Sequence, residues 1–242
     1  MKKMMNKIAL PTNQERYMAI CDILEENEFE YRIQERNSRR GCIVRNIIIP
    51  ARQKENKLVL MAHYDVVPGS CGANDNASSI CCIIEFMKRG GRDLPYVEVV
   101  FTDLEEFGTI GCRQYIKEYV DSIKEVINID TCGVGSKIVE WNKTCRTYSG
   151  ALFDELPDHV IEVDHLPYCD ADCILFNGKG IGVSCLCILP DECTRNVYNS
   201  YGGKLCSTGG VFPYIHCGEF DDISYIDYNA LELMVRYLMR LL

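Results

Sequence analysis

The stretch Leu58-Val59-Leu60-Met61-Ala62-His63-Tyr64-Asp65 decides how this chain is read. Its apolar residues follow one another without a break, as in a central strand covered on both faces. A histidine and an aspartate come directly after. Val97-Glu98-Val99-Val100-Phe101 repeats the pattern and leads into Thr102-Asp103-Leu104-Glu105-Glu106; the strand from Glu125 to Ile129 leads into Asp130. Between them, Ile80, Ile83, Ile84 and Met87 mark a helix from Asn76 to Lys88, and Thr109 to Tyr119 reads as another. Alternating strands and helices predict an α/β fold: a mixed, largely parallel central sheet with helices on both faces.

The flanks extend this frame. Thr12-Asn13-Gln14-Glu15 reads as a capping box, and Tyr17, Ile20, Cys21 and Leu24 continue it as a helix from Asn13 to Glu25. Glu30 to Glu35 and Cys42 to Ile49 read as strands joined by a turn from Asn37 to Gly41; Pro50 to Asn56 reads as a loop. Further on, Ala171 to Asn177 suggests a short helix and Ile181 to Leu189 a strand. Tyr201 to Gly210 is a glycine-rich stretch, expected to be a mobile loop bordering a cleft. Asp227 to Leu242 places Leu231, Met234, Val235, Leu238 and Leu242 on one face of a covering helix. No repeat or linker interrupts the chain, so residues 1–242 are expected to form a single domain.

Composition narrows the function classes. The 242 residues are 47% apolar and 25% charged, ordinary values that exclude disordered and fibrous architectures. A net charge of -9 argues against nonspecific nucleic-acid binding. No run of about 18 apolar residues exists, so no membrane span is expected. The cysteines number 15, odd and scattered, and Met1 to Leu10 carries no apolar leader core. A reducing, cytoplasmic setting is expected, with most thiols packed as small hydrophobes and Cys185 and Cys187 on one strand face. No CxxC pair occurs, so no structural zinc knuckle is expected.

Ligands of open α/β sheets bind beyond the carboxyl ends of the strands. Successive strand ends here deliver His63, Asp65, Glu105, Glu106 and Asp130, with Asp75 opening the helix after the first. Each is bland alone: a histidine after a strand, a solvated Glu-Glu turn, an aspartate capping a helix. Together they crowd like charges that need a positive partner. Arginine and lysine are scarce in these segments, Arg113 being the nearest. A divalent metal would serve, and histidine with carboxylates suits zinc. Two metals would account for more of the acids and would need a bridging carboxylate.

His63-Tyr64-Asp65, Gly72-Ala73-Asn74-Asp75-Asn76-Ala77-Ser78-Ser79, Asp103-Leu104-Glu105-Glu106-Phe107-Gly108, Asn128-Ile129-Asp130 and Ile215-His216 resemble the successive signatures of the M28 metallopeptidases. These are co-catalytic zinc aminopeptidases, and the resemblance runs from about Leu58 to Tyr228. It implies a zinc-peptidase-like phosphorylase/hydrolase fold holding two divalent ions, zinc first among the candidates. His63 and Asp130 would bind one ion, Glu106 and His216 the other, and Asp75 would bridge them. Glu105 would be the general base toward the attacking water. Asp65 would hydrogen-bond the second nitrogen of His63. Peptides or small aminoacyl compounds would be substrates, and neither nucleic acid nor membrane would be a partner. The oligomeric state stays open.

Some positions depart from the family pattern. Ala171-Asp172-Cys173 stands where the family often has Ser-Asp-His, and Cys217 where a threonine usually follows the last histidine. His159 and His165 have no counterpart and read as surface residues; Trp141 reads as core. Two rival readings accompany the aminopeptidase. One is a single-zinc, glutaminyl-cyclase-like enzyme. The other is an inactive peptide-binding module, which the complete set of ligands and base opposes.

Overall fold

The computed structural model describes residues 1–37, 41–144, 148, 158–163, 171–191, 193 and 212–242. Two helices open the chain, α1 (Lys2–Ile8) and α2 (Asn13–Glu26). The strands are β1 (Arg32–Asn37), β2 (Ile43–Ile49), β3 (Lys57–His63), β4 (Val97–Thr102), β5 (Ile123–Ile129), β6 (Lys137–Trp141), β7 (Val160–Glu162) and β8 (Gly182–Leu189). Helices α3 (Ser78–Lys88), α4 (Ile110–Tyr119) and α5 (Tyr228–Leu241) complete the frame.

The sheet order is β1-β2-β4-β3-β5-β8-β6-β7. Its centre, β4-β3-β5-β8, is parallel; β1, β2 and β6 add antiparallel neighbours. The fold is thus α/β with a mixed, largely parallel sheet. β3 is buried along its whole length, and its side chains alternate between two cores. Leu58, Leu60 and Ala62 pack with α1, α2, α3 and α5. Val59 and Met61 pack with Cys112 and Tyr115 of α4, with Phe176, and with Trp141, which is core as expected.

Thr12 caps α2 by accepting from the Glu15 amide, and its hydroxyl donates to the Glu15 carboxylate. Asp227 caps α5 by accepting from the Asn229 amide. Several expectations are corrected. Helix α1 was not foreseen, because its seven residues are too few to show a clear period. β1 starts at Arg32 rather than Glu30. Strands β6 and β7 were hidden by charged residues such as Lys137 and Glu140, although Glu140 is buried and accepts from Ser184 Oγ at 2.5 Å. The helix expected from Asn76 begins at Ser78; Ala73–Ala77 form a wide turn in which Asp75 and Asn76 leave helical geometry. Asp172–Phe176 is a 3-10 turn. The loop expected at 201–210 and His165 lie outside the described residues.

The thiols follow expectation in part. Cys81, Cys82, Cys112 and Cys132 are free and buried, Cys187 and Cys193 are buried, and Cys42 and Cys217 are exposed. Cys185 and Cys187 do share a core. Cys173 and Cys185, however, form a disulfide, a correction to the fully reduced reading. Strand spacing alone did not reveal that the 3-10 turn lies over β8.

Candidate active site

The parallel strands end side by side, and their last residues feed one cluster. His63 closes β3; its Nε2 lies 3.1 Å from Asp75 Oδ1 and 3.7 Å from Asp130 Oδ1. His216 Nε2 lies 2.9 Å from Glu106 Oε2 and 3.4 Å from Asp75 Oδ2. The two oxygens of Asp75 therefore face two different histidines. Ligand atoms of His63, Asp75 and Asp130 fall within 4.8 Å of one another, as do those of Asp75, Glu106 and His216. Glu105 groups with His63 and Glu106 within the same distance. All seven site residues expected from the sequence come together.

Sharp turns aim these side chains. Leu104 before Glu105, Thr131 after Asp130, and His216 itself have φ values of 54°, 57° and 49°. Such left-handed residues are uncommon outside glycine and cluster at functional sites. The Asp75–Asn76 peptide is cis. Asp65 does not make the hydrogen bond to His63 that the sequence reading expects, a correction. Its Oδ1 is 3.3 Å from His63 Nδ1, outside hydrogen-bond geometry, while its two oxygens accept from the amides of Glu105 and Glu106 at 2.9 and 3.1 Å. One carboxylate thus sits behind the histidine and fixes the Glu-Glu turn.

Other residues hold the loops to one another, and sequence reasoning gave them no role. Asp221 Oδ1 accepts from the amides of Asn74 and Asp75 at 2.9 and 3.0 Å. Asn74 accepts from the Gly133 amide and donates to Tyr214 O, tying the loops of Asp130 and His216 together. Asn76 accepts from the Thr131 amide and donates to Ile129 O. Asn46 accepts from the Asp103 amide and donates to Gly111 O. A Cβ on Gly111 would lie 2.3 Å from Asp103 O, so only glycine lets α4 start this close. The available signal was the asparagines within the Gly72–Ser79 motif. Asp172, another buried acid, accepts from Thr102 Oγ1 at 2.5 Å and leaves Oδ1 without a hydrogen-bond partner.

The charge balance is unusual. Burial, partly opposed by His63 and reinforced by Asp172, Asp130 and Asp65, pushes the Glu105 carboxyl up to about 10. Burial likewise raises Asp172 to about 7 and lifts Asp130 and Glu106 above the ordinary carboxylate range. The hydrogen bond with Glu106 raises His216 to about 9 despite its partial burial. For Asp75, burial is outweighed by the hydrogen bond and charge of His63, then by His216 and Arg16, and its carboxyl falls. Arg113 donates only to Gly108 O on the exposed side. The cation beside the site is instead Arg16 of α2, which is fully buried.

This donor set fits divalent cations. Asp130 Oδ1 is buried without a hydrogen-bond partner, as a ligand oxygen awaiting a cation would be. Each histidine shares Asp75 with one further carboxylate, so each group of three would offer three protein ligands to a divalent ion.

Residues 46–242 match the sequence profile of peptidase family M28, and the chain belongs to that family. It is 28% identical over 116 residues to a vacuolar membrane protease of Kluyveromyces lactis, covering 46% of this chain and 13% of that protein. A vacuolar membrane protease of Saccharomyces cerevisiae is 31% identical over 116 residues, with 46% and 12% covered. The chain thus spans about an eighth of these relatives, and no described helix is long and apolar enough to cross a membrane. Among solved structures, a zinc aminopeptidase from Bacillus subtilis superposes with a TM-score of 0.61 at 20% identity, covering 83% of this chain and 49% of the other. Glutaminyl cyclase from Bacteroides thetaiotaomicron superposes with a TM-score of 0.68 at 16% identity, covering 99% and 95%. At these identities the superpositions establish the fold.

Proposed function

We propose that the protein is a two-zinc aminopeptidase that releases N-terminal residues from peptides or small aminoacyl amides. The observation that carries this reading is Asp75, whose Oδ1 faces His63 and whose Oδ2 faces His216. A carboxylate presented to two histidine sets is the arrangement a metal pair requires. His63, Asp130 and Asp75 would hold one ion; Glu106, His216 and Asp75 the other.

When bound, the ions supply Lewis-acid activation of water and of the scissile carbonyl. The chain's own groups do the rest. The charge of bound ions would return the buried Glu105 carboxyl to its ionised form, and Glu105, beside but outside both ligand sets, would then accept the proton of the attacking water and return it to the leaving amine. Asp65 holds the Glu105 and Glu106 amides, so base and ligand keep their separation. The surrounding carboxylates attract a free substrate amine, in keeping with aminopeptidase rather than endopeptidase action.

A second reading has a specific observation in its favour. The chain matches the glutaminyl cyclase of B. thetaiotaomicron over 95% of that chain, against 49% for the B. subtilis aminopeptidase. A single-zinc cyclase of N-terminal glutamine is therefore the alternative. Zinc-loaded protein assayed on aminoacyl p-nitroanilides and on a glutaminyl peptide separates the two. Hydrolysis abolished by N-acetylation of the substrate supports the aminopeptidase; cyclisation with one zinc per chain contradicts it. The cytoplasmic setting is part of the proposal, and cell fractionation tests it.

A further inference from the structure

Arg16 has no exposed surface, and among the described residues no carboxylate lies within 4.0 Å of its guanidinium. Burying a guanidinium without a direct ion pair is costly, so its placement calls for a reason. Its four hydrogen bonds all end on backbone carbonyls. Nε donates to Leu10 O at 2.8 Å and Nη1 to Tyr64 O at 3.2 Å; Nη2 donates to Cys71 O at 2.5 Å and Gly72 O at 2.6 Å. Tyr64 follows His63 directly, and Gly72 lies three residues before Asp75. The fork therefore spans the two segments that carry one ligand pair, His63 Nε2 and Asp75 Oδ1 at 3.1 Å.

Gly72 is shaped to this contact. It has a φ of 52°, and a Cβ there would lie 2.2 Å from Arg16 Nη2 and 2.5 Å from Asp75 O. The guanidinium occupies the space a side chain would need. Burial lowers the basicity of Arg16, while the charges of Asp75, Asp221 and Asp65 favour its cation. The positive charge thus lies close to the carboxylate crowd without taking a ligand position. It also comes from α2, outside the residues 46–242 that match the family.

We propose that Arg16 is a positioning residue for the metal site, its fork on the Tyr64, Cys71 and Gly72 carbonyls setting the separation of His63 and Asp75. This rests on the metal reading above. Planar, bidentate donation is what an arginine offers and a lysine does not.

The test is zinc affinity of the full chain, measured by competition with a chromophoric chelator, for wild type, Arg16→Lys, Arg16→Met and Leu24→Ala. Lysine keeps the charge and loses the fork. Leu24→Ala opens a cavity under the same helix without a hydrogen bond to residues 64–75. Both arginine variants are expected to weaken zinc binding at least about tenfold, as loss of a residue supporting metal ligands does. Leu24→Ala is expected to bind like wild type. Gly72→Ala, which crowds both the guanidinium and the Asp75 carbonyl it lies beside, is expected to weaken zinc similarly and serves if the arginine variants do not fold. Amide hydrogen exchange over residues 64–75 of the metal-free protein should quicken in the Arg16 variants. Wild-type affinity in Arg16→Lys or Gly72→Ala, or an equal loss in Leu24→Ala, overturns the proposal. A wild type that binds no zinc overturns the metal reading instead; unchanged exchange over residues 64–75 in Arg16→Lys then overturns the role of the arginine.

Discussion

Strands β3 and β4 carry buried charge at both ends, and the two ends are built on opposite principles. At the amino end, Lys57 donates to Glu98 Oε1 at 2.8 Å, Tyr115 OH donates to the same oxygen, and Arg32 lies 3.8 Å from Oε2. The anion is surrounded by donors, and the cluster closes on itself. At the carboxyl end, Asp65, Asp75, Glu105, Glu106, Asp130 and Asp172 meet two histidines and one arginine, and Asp130 Oδ1 and Asp172 Oδ1 lack hydrogen-bond partners. A satisfied cluster needs nothing further; an acid-rich, unsatisfied one is set up to receive cations. Burial of charge alone therefore does not mark a functional site. Imbalance does.

Substitutions at the two ends should part company. Glu105→Gln keeps the size of the base but cannot accept a proton. Turnover on an aminoacyl substrate is expected to fall by ~10²–10⁴-fold with zinc content unchanged. Near-normal steady-state rates would remove Glu105 from that role. His216→Ala and Glu106→Gln should instead lower zinc content, and excess zinc should partly restore their rates.

Glu98→Gln leaves Lys57 buried without its counter-charge. Denaturant unfolding is expected to show a loss of about 3–5 kcal/mol, with unchanged rate per folded molecule. Asp130→Asn should do the reverse in metal-free protein. Removing one of several crowded carboxylates is expected to leave stability equal or higher, while zinc no longer raises the melting temperature as it does in wild type. If both substitutions destabilise the metal-free protein alike, the two ends are not different in kind.

The smallest effect concerns pH. Burial raises the Asp103 carboxyl to about 6, against donation by the Arg45 amide at 3.0 Å. A raised acid keeps its proton in the folded state over a range where the unfolded chain has lost it, so stability falls as pH rises. Wild type should lose on the order of 2–3 kcal/mol relative to Asp103→Asn between about pH 4 and pH 6, then hold steady. Unfolding curves of both proteins across that range check it; a constant difference would show that Asp103 titrates normally.

How much of this was legible beforehand follows from where the information sits. The run Leu58–Ala62 declared a doubly covered strand, and the acids after β3, β4 and β5 declared a site, because chemistry and period are adjacent in sequence there. The spacing of the His63 group from the His216 group was not legible, since it depends on Asn46, Asn74 and Asp221, whose partners lie 147 residues away in the case of Asp221 and Asn74. Arg16 left a fainter trace. It falls on the apolar face of α2, four residues before Ile20 and seven before Ile23, where a charged side chain is out of place. Arg113 was the nearer cation in sequence and proved to face outward.

The central claim is that Asp75 is shared between two metal sites, and zinc stoichiometry tests it most directly. Metal-stripped protein titrated with zinc should saturate at two ions per chain, and Asp75→Asn should weaken both. Saturation of wild type at one ion, with that ion retained in Asp75→Asn, would contradict the account.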